Sequence, residues 1–241
     1  MFSMFRFLLI NTFIALHSIV FCLWGILLSV CGGKGSVVHF FCAVPWARAI
    51  LWVSGVKVMV KGLEHVDVRK SCIYLSNHQS YFDIFVLLAS LPVNFKFVLK
   101  QELMKIPLLG RAMRGAGYIA IDREDPRKAL QGMNEAAKRI KEGASVLIFP
   151  EGTRSADGHL QPYKRGGFRL ALKAECDLVP VGIVGTRRIV PKGSLRVQRG
   201  TVVMNIGKPI PGGGYSKREM DQLMDRVRRD MEGLLKEQPC P

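Results

Sequence analysis

Hydrophobic and polar residues follow two different patterns along this chain, and the change between them divides it in two. No charged side chain occurs in the 25 residues from Phe7 to Cys31, and a second apolar run extends from Val37 to Gly55. From Val56 to Gly62 apolar and polar side chains then alternate, which is typical of a half-buried strand. We therefore expect residues 1–55 to form apolar N-terminal helices and residues 56–241 to form a folded domain.

Beyond residue 62, short apolar runs alternate with segments of helical periodicity, and this pattern predicts an α/β domain. Asp125-Pro126 is a strong helix start, because Asp caps a helix well and Pro fits its first turn. Ser216-Lys217-Arg218-Glu219 has the form of a capping box before a last helix. The predicted strands are Cys72–Leu75, Phe95–Leu99, Tyr118–Ile121, Ala144–Phe149, Leu178–Val184 and Thr201–Ile206.

The apolar N-terminal segments are long enough to act as a membrane anchor at 1.5 Å per helical residue. A cleaved signal peptide fits less well, because the first apolar run exceeds the usual span of about 7 to 15 residues. Two helices joined at Gly32-Gly33-Lys34-Gly35 can cross the bilayer twice, or lie within one leaflet with Arg6, Lys34 and Arg48 near the headgroups.

The formal net charge of +16 indicates a polyanionic partner. No nucleic-acid motif accompanies the charge, so we expect an anionic bilayer and phosphorylated substrates rather than nucleic acid. The stretch from Arg187 to Arg199 concentrates five cations, for which lipid headgroups, the phosphates of a CoA donor and simple solubility are open interpretations. The six cysteines form no Cys-x-x-Cys pair, which favours a reduced, cytoplasmic domain without disulfide or zinc.

The candidate chemistry begins in the turn Asn77-His78-Gln79-Ser80-Tyr81-Phe82-Asp83, between an apolar strand and an apolar helix. His78 and Asp83 cannot meet if both are helical, so we expect His78 in the turn, Ser80 as N-cap and Asp83 at the third helical position. The carboxylate can then orient the imidazole as a general base for a substrate hydroxyl. An ordinary capping box at Ser80-x-x-Asp83 is the structural alternative.

A second polar turn, Pro150-Glu151-Gly152-Thr153-Arg154, follows the predicted strand Ala144–Phe149. Together, the His-x4-Asp and Phe-Pro-Glu-Gly-Thr-Arg motifs resemble those of the glycerophospholipid acyltransferase family. Two further blocks of that family stand in order, at Gly117–Arg123 and Leu178–Val181, so the resemblance covers roughly residues 60 to 210.

The resemblance implies a single mixed-sheet α/β acyltransferase domain flanked by helices, preceded by a two-helix membrane anchor that relatives place in one leaflet. It also implies acyl transfer from acyl-CoA or acyl-carrier protein to the sn-2 hydroxyl of 1-acyl-sn-glycerol 3-phosphate (lysophosphatidic acid), which makes phosphatidic acid in phospholipid biosynthesis. The implied location is the cell membrane, with the catalytic domain on its cytoplasmic face. Neither a metal nor a resident cofactor is implied.

By this resemblance His78 is the general base and Asp83 orients it. The acceptor site is then formed by Glu151, Gly152, Thr153 and Arg154, with Arg123 at the end of a strand as a second phosphate ligand. Lys100 is a candidate for the same phosphate, and a solvated surface lysine is the alternative for it.

Three other functions remain to be weighed. A related acyltransferase can act on glycerol 3-phosphate or on a lyso-ornithine lipid. A hydrolase can group His78, Asp83, Glu151 and His159 around a metal ion. A lipid-binding scaffold can keep the fold without the chemistry, although this chain retains both His78 and Asp83.

Overall fold

The computed structural model describes residues 2–122 and 125–236 of the chain. Within these ranges the α-helices are α1 (Phe2–Val30), α2 (Gly35–Val38), α3 (Val44–Ser54), α4 (Phe82–Ser90), α5 (Leu109–Gly115), α6 (Pro126–Lys141), α7 (Gly166–Ala174), α8 (Thr186–Ile189) and α9 (Met220–Lys236). The strands are β1 (Val56–Lys61), β2 (Ile73–Ser76), β3 (Phe95–Lys100), β4 (Ile119–Ile121), β5 (Ser145–Ile148), β6 (Leu178–Val184) and β7 (Gly200–Ile206).

The seven strands form one mixed sheet in the order β1-β7-β6-β2-β5-β3-β4. Strands β6, β2, β5, β3 and β4 run parallel, whereas β7 pairs antiparallel with β6 and β1 pairs parallel with β7. The carboxyl ends of β2, β3 and β5 therefore meet at one edge of the sheet, and those of β1 and β7 lie at the opposite edge. The mixed α/β sheet expected from the family resemblance is confirmed.

Helices cover both faces of the sheet, as the alternation of apolar side chains along β2 requires. Tyr74 packs in one core cluster together with residues of α3 and α4. Its neighbours Ile73 and Leu75 point the other way, into a second cluster with residues of α6, α7 and α9. The first residue of α6 is Pro126, and the Asp125 carboxylate accepts the N–H groups of Arg127 and Lys128, so the predicted helix start is confirmed.

The two apolar N-terminal segments are both helical. A π-helical turn at His39–Ala43 joins α2 to α3, which makes residues 35–54 one continuous helical run. By length and composition, Met4–Val30 and Gly35–Ser54 could each cross a membrane. Only a small part of the first is buried, whereas Ala47 and Ile50 of the second are buried completely. Helix α3 therefore belongs partly to the core of the domain, and the predicted division at residue 55 remains a prediction.

Candidate active site

Two turns lie side by side at the carboxyl edge of the sheet. Strands β2 and β5 are parallel neighbours, with Leu75 opposite Ile148. The turn after β2, which contains His78, therefore lies next to the turn after β5, which begins at Phe149. In open α/β sheets this edge is where ligands bind. The order of the strands thus brings together the two motifs that the sequence separates by about 70 residues.

His78 and Asp83 are in direct contact. The ring Nδ1 of His78 lies 2.8 Å from Asp83 Oδ2, and the same oxygen accepts the backbone N–H groups of Gln79 at 2.7 Å and Ser80 at 2.8 Å. Asp83 is fully buried, and the His78 side chain remains 15% exposed. An Nδ1–H donated to the carboxylate leaves the Nε2 lone pair free to accept a proton.

Helix α4 begins later than the sequence indicates. Its N-cap is Tyr81, and Asp83 is the second helical residue rather than the third. The Ser80 hydroxyl still accepts an N–H of the first turn, that of Phe82 at 3.2 Å, and it also donates to the carbonyl of Val190 at 2.8 Å. Asp83 still accepts the N–H of Ser80, so half of the predicted capping box forms while the carboxylate serves His78.

The imidazole of His78 stacks on the ring of Phe149. Their centroids are 3.9 Å apart at an interplanar angle of 15°, and Phe149 in turn stacks on Phe97. Aromatic packing on one face and a carboxylate at Nδ1 fix the orientation of the ring. The sequence analysis gave Phe149 no role of its own, although its place in the Phe-Pro-Glu-Gly-Thr-Arg motif was the available signal.

Glu151 faces the protein interior. Its side chain is buried, with Oε1 accepting the backbone N–H of His78 and Oε2 accepting that of Gln161, both at 2.9 Å. Burial raises the pKa of this carboxyl, and the two N–H groups partly oppose the shift. The sequence assigned Glu151 to the acceptor site, but both of its oxygens are occupied by the backbone. Its geometry is that of a residue that positions His78.

The peptide of His78 is fixed from several directions. Its carbonyl accepts the N–H of Ser155 at 2.8 Å, so the turn after β5 binds both the N–H and the C=O of this residue. Next to it, the Asn77 side chain donates to the Ile183 carbonyl at 2.9 Å and accepts the Ile183 N–H at 2.7 Å. This bridge ties the end of β2 to β6. No signal in the sequence pointed to Ile183 as the partner.

Arg154 lies over the aromatic ring of Tyr81, with its guanidinium carbon 3.7 Å from the ring centroid. Within the described ranges its Nη1 has no hydrogen-bond partner. Gly152 adopts a positive φ of 73°, which glycine accepts without strain, and Thr153 is exposed. The Tyr81 contact brings Arg154 to the turn that carries His78 and Asp83.

Lys100 and Arg123 are the other two candidate ligands of the phosphate. Lys100 is the exposed last residue of β3, at the same edge of the sheet as His78, and the structure gives no contact between them. Arg123 lies outside the described residues.

The side chains that a metal-dependent hydrolase would use do not form a metal site in the structure. His159 is exposed and its Nδ1 lies 3.4 Å from Asp157, while both oxygens of Glu151 accept backbone N–H groups. Over residues 2–122 and 125–236, no three His, Cys, Asp or Glu side chains are arranged to hold a metal ion.

Both the family model and the curated relatives that match this chain are acyltransferases. The model of the Acyltransferase family matches residues 57–184. A chloroplastic 1-acyl-sn-glycerol-3-phosphate acyltransferase of Brassica napus is 39% identical over 192 residues, which are 79% of this chain and 54% of that protein. The human 1-acyl-sn-glycerol-3-phosphate acyltransferase alpha is 32% identical over 189 residues, 78% of this chain and 67% of that protein.

The fold itself also has a solved counterpart. The crystal structure of the 1-acyl-sn-glycerophosphate (LPA) acyltransferase of Thermotoga maritima superimposes with a TM-score of 0.82 at 24% identity, covering 99% of this chain and 98% of that one. The chain spans about half to two thirds of the length of the curated relatives named above. On the match of the family model, together with these identities, the chain belongs to the acyltransferase family.

Proposed function

We propose that this protein transfers a fatty acyl group from acyl-CoA or acyl-carrier protein to the sn-2 hydroxyl of 1-acyl-sn-glycerol 3-phosphate, making phosphatidic acid. The observation that carries the proposal is the 2.8 Å contact between His78 Nδ1 and Asp83 Oδ2, which leaves Nε2 as a base at the open edge of the sheet. The relatives named as 1-acyl-sn-glycerol-3-phosphate acyltransferases support the choice of acceptor.

The reaction follows from the free Nε2 of His78. This nitrogen removes the proton of the acceptor hydroxyl as the oxygen attacks the thioester carbonyl, and Asp83 stabilises the imidazolium that forms. The new C–O bond replaces the C–S bond, and the thiolate that leaves takes the proton from His78. A general base of this kind contributes about 10²- to 10⁴-fold, and positioning of the two substrates supplies much of the rest.

The phosphate of the acceptor is proposed to bind on the side of Arg154. A guanidinium offers two parallel N–H donors to phosphate oxygens, and stacking on Tyr81 holds its plane. Lys100 and Arg123 are the further candidates, and Gly152 and Thr153 shape the turn that presents Arg154. In this proposal Glu151 acts through His78 and does not touch the acceptor.

Helices α1 to α3 are proposed to attach the catalytic domain to the cytoplasmic face of the membrane within one leaflet. Exposed apolar side chains recur along the whole of α1 at intervals of three or four residues, for example at Leu16, Ile19, Leu23 and Leu27. The opposite side of α1 packs along α3 and α5, so the helix lies against the domain with its exposed apolar side chains outward, which favours a position within one leaflet over a span that stands clear of the domain. Both substrates of the proposed reaction carry long acyl chains, and attachment brings the active site to them.

Product analysis with different acceptors tests the proposal. The full-length enzyme in vesicles receives labelled acyl-CoA or acyl-carrier protein with lysophosphatidate, glycerol 3-phosphate, a lyso-ornithine lipid or no acceptor. We expect labelled phosphatidic acid with lysophosphatidate and far less product with the other acceptors. A product formed only from another acceptor would overturn the assigned substrate, and free fatty acid without any acceptor would indicate a hydrolase.

A further inference from the structure

Residues 190–199, called here the 190–199 loop, combine one exposed apolar side chain with several cations. Val190 and Val197 are buried in the core, and the N–H of Gln198 bonds to the Ile189 carbonyl at 2.8 Å, which closes the base of the loop. Leu195, by contrast, is 63% exposed. Lys192, Arg196 and Arg199 flank it, and the loop contains neither Asp nor Glu.

The loop connects the candidate active site with the apolar helices. At one end, the Val190 carbonyl accepts the Ser80 hydroxyl, and Lys192 Nζ donates to the Arg154 carbonyl at 2.7 Å. At its tip, the Asn11 side chain of α1 donates to the Leu195 carbonyl at 3.2 Å. The N–H of Gly200, next to the loop, bonds to the Gly55 carbonyl at the end of α3.

A single exposed leucine on a protein surface is ordinary. Leu195 is unusual in its position. Its carbonyl is bonded to Asn11 of α1, one helical turn away from the exposed Leu8. The apolar face of α1 thus continues onto the 190–199 loop. An exposed apolar side chain in a loop that also carries three cations matches the boundary between headgroups and acyl chains of an anionic bilayer.

We propose that the 190–199 loop is a second membrane contact, in which Leu195 inserts below the headgroups and Lys192, Arg196 and Arg199 lie among the phosphates of anionic lipids. The proposal rests on the membrane attachment argued above and goes beyond it, since it places the catalytic domain itself on the leaflet. Docking would hold the turns of His78 and Arg154 at the surface from which an anionic acceptor arrives.

An environment-sensitive fluorophore such as NBD at residue 195 tests the docking directly. Leu195→Cys is labelled in the full-length protein after its reactive native cysteines are replaced, and Lys208→Cys provides the control. Lys208 is exposed and follows β7 at the opposite edge of the sheet. On vesicles containing phosphatidylglycerol we expect a blue shift and quenching by acyl-chain-brominated lipid at residue 195, and an aqueous spectrum at residue 208.

Charge variants test the role of the cations. Each basic residue near an anionic surface changes the docking equilibrium by about fivefold, so Arg196→Gln should lower the docking equilibrium constant that the residue-195 label reports by that factor. Lys208→Gln removes the same charge at the far edge and should leave the response unchanged. Pure phosphatidylcholine vesicles should also give a weaker response.

Two results would overturn the proposal. One is a residue-195 label that stays aqueous on anionic vesicles. The other is a response to soluble CoA without lipid that anionic vesicles fail to produce, which would assign the cations to the acyl donor. Because the fluorescence requires no acyl transfer, an inactive protein that still docks would contradict only the proposed function.

Discussion

Glu151 accepts the backbone N–H of His78 at 2.9 Å, so the second motif of the chain holds the turn that carries His78 and Asp83. The turn of Glu151 also donates the Ser155 N–H to the His78 carbonyl. Sequence reasoning regarded the two motifs as a base and an acceptor site. In the proposed function the roles divide differently: Glu151 holds the backbone of His78, and Arg154 binds the substrate.

Glu151→Gln distinguishes these two roles. The amide can accept only one of the two N–H groups and turns its NH₂ toward the other, so His78 loses its precise position. We expect kcat to fall by roughly 10- to 100-fold with little change in KM for lysophosphatidate. Steady-state kinetics measures both values, with Glu64→Gln at a distant exposed site as the control. A raised KM at constant kcat would show that Glu151 binds the acceptor, as the sequence suggested.

Tyr81 and Arg154 form the second testable pair. Loss of the ring in Tyr81→Leu removes a cation–π contact of about 0.5 to 2 kcal/mol, so KM for lysophosphatidate should rise roughly 2- to 30-fold while kcat changes little. Tyr81→Phe keeps the ring and should behave like the native protein. If Tyr81→Leu had the same effect in an Arg154→Ala background, the two residues would act independently, and Tyr81 would not position Arg154.

Local features of the site could be predicted from the sequence, and distant ones could not. His78 and Asp83 are five residues apart, and Asp125-Pro126 fixes the start of α6, so chain geometry alone brings these groups into place. The Asn77–Ile183 bridge spans 106 residues and depends on the order of the strands, which local periodicity does not determine. The inward direction of Glu151 likewise depends on β5 lying beside β2.

The start of α4 illustrates the same limit. The spacing of Ser80 and Asp83 predicts a capping box, and the Ser80 N–H does bond to the Asp83 carboxylate. The bond from the Ser80 hydroxyl to the Val190 carbonyl spans 110 residues, so local spacing could not predict it, and the helix begins one residue later than the spacing indicated. The antiparallel direction of β7 could not be predicted either, because alternation with a period of two residues carries no information on the direction of a strand.

Lys96 should make the stability of the protein depend on pH. This lysine is buried on β3 with Nζ bonded to Asn94, and burial lowers its pKa from 10.5 to about 8. The folded state therefore releases the proton more readily than the unfolded chain, and stability should rise as pH increases from about 8 to 10.5. The charged form costs about 3 kcal/mol below that range.

Thermal unfolding in detergent between pH 7 and 10.5 measures this contribution. The stability of Lys96→Met should not rise with pH as that of the native protein does. At pH 7 the variant should be more stable than the native protein, although the loss of the hydrogen bond to Asn94 reduces this gain. Lys57→Met removes an exposed lysine from β1 and serves as the control. If the thermal stabilities of the native protein and Lys96→Met depended on pH in the same way, Lys96 would not be the group responsible.

Asp83→Asn tests the orientation of the imidazole. An asparagine whose oxygen takes the place of Asp83 Oδ2 can still accept the N–H groups of Gln79 and Ser80 and the Nδ1–H of His78, but as a neutral amide it no longer stabilises the imidazolium. We expect kcat to fall by more than tenfold, with the fold preserved by circular dichroism. A loss below tenfold would mean that Asp83 serves mainly as a helix cap.

The most direct measurement of the central claim is thiol release from acyl-CoA in vesicles, with and without lysophosphatidate, for the native protein and His78→Ala. Acyl-carrier protein replaces CoA in a parallel series, so that either donor can report activity. The account predicts release that requires lysophosphatidate and falls at least 10²-fold in the variant, because the base that Asp83 contacts is removed. Undiminished turnover by His78→Ala would contradict it.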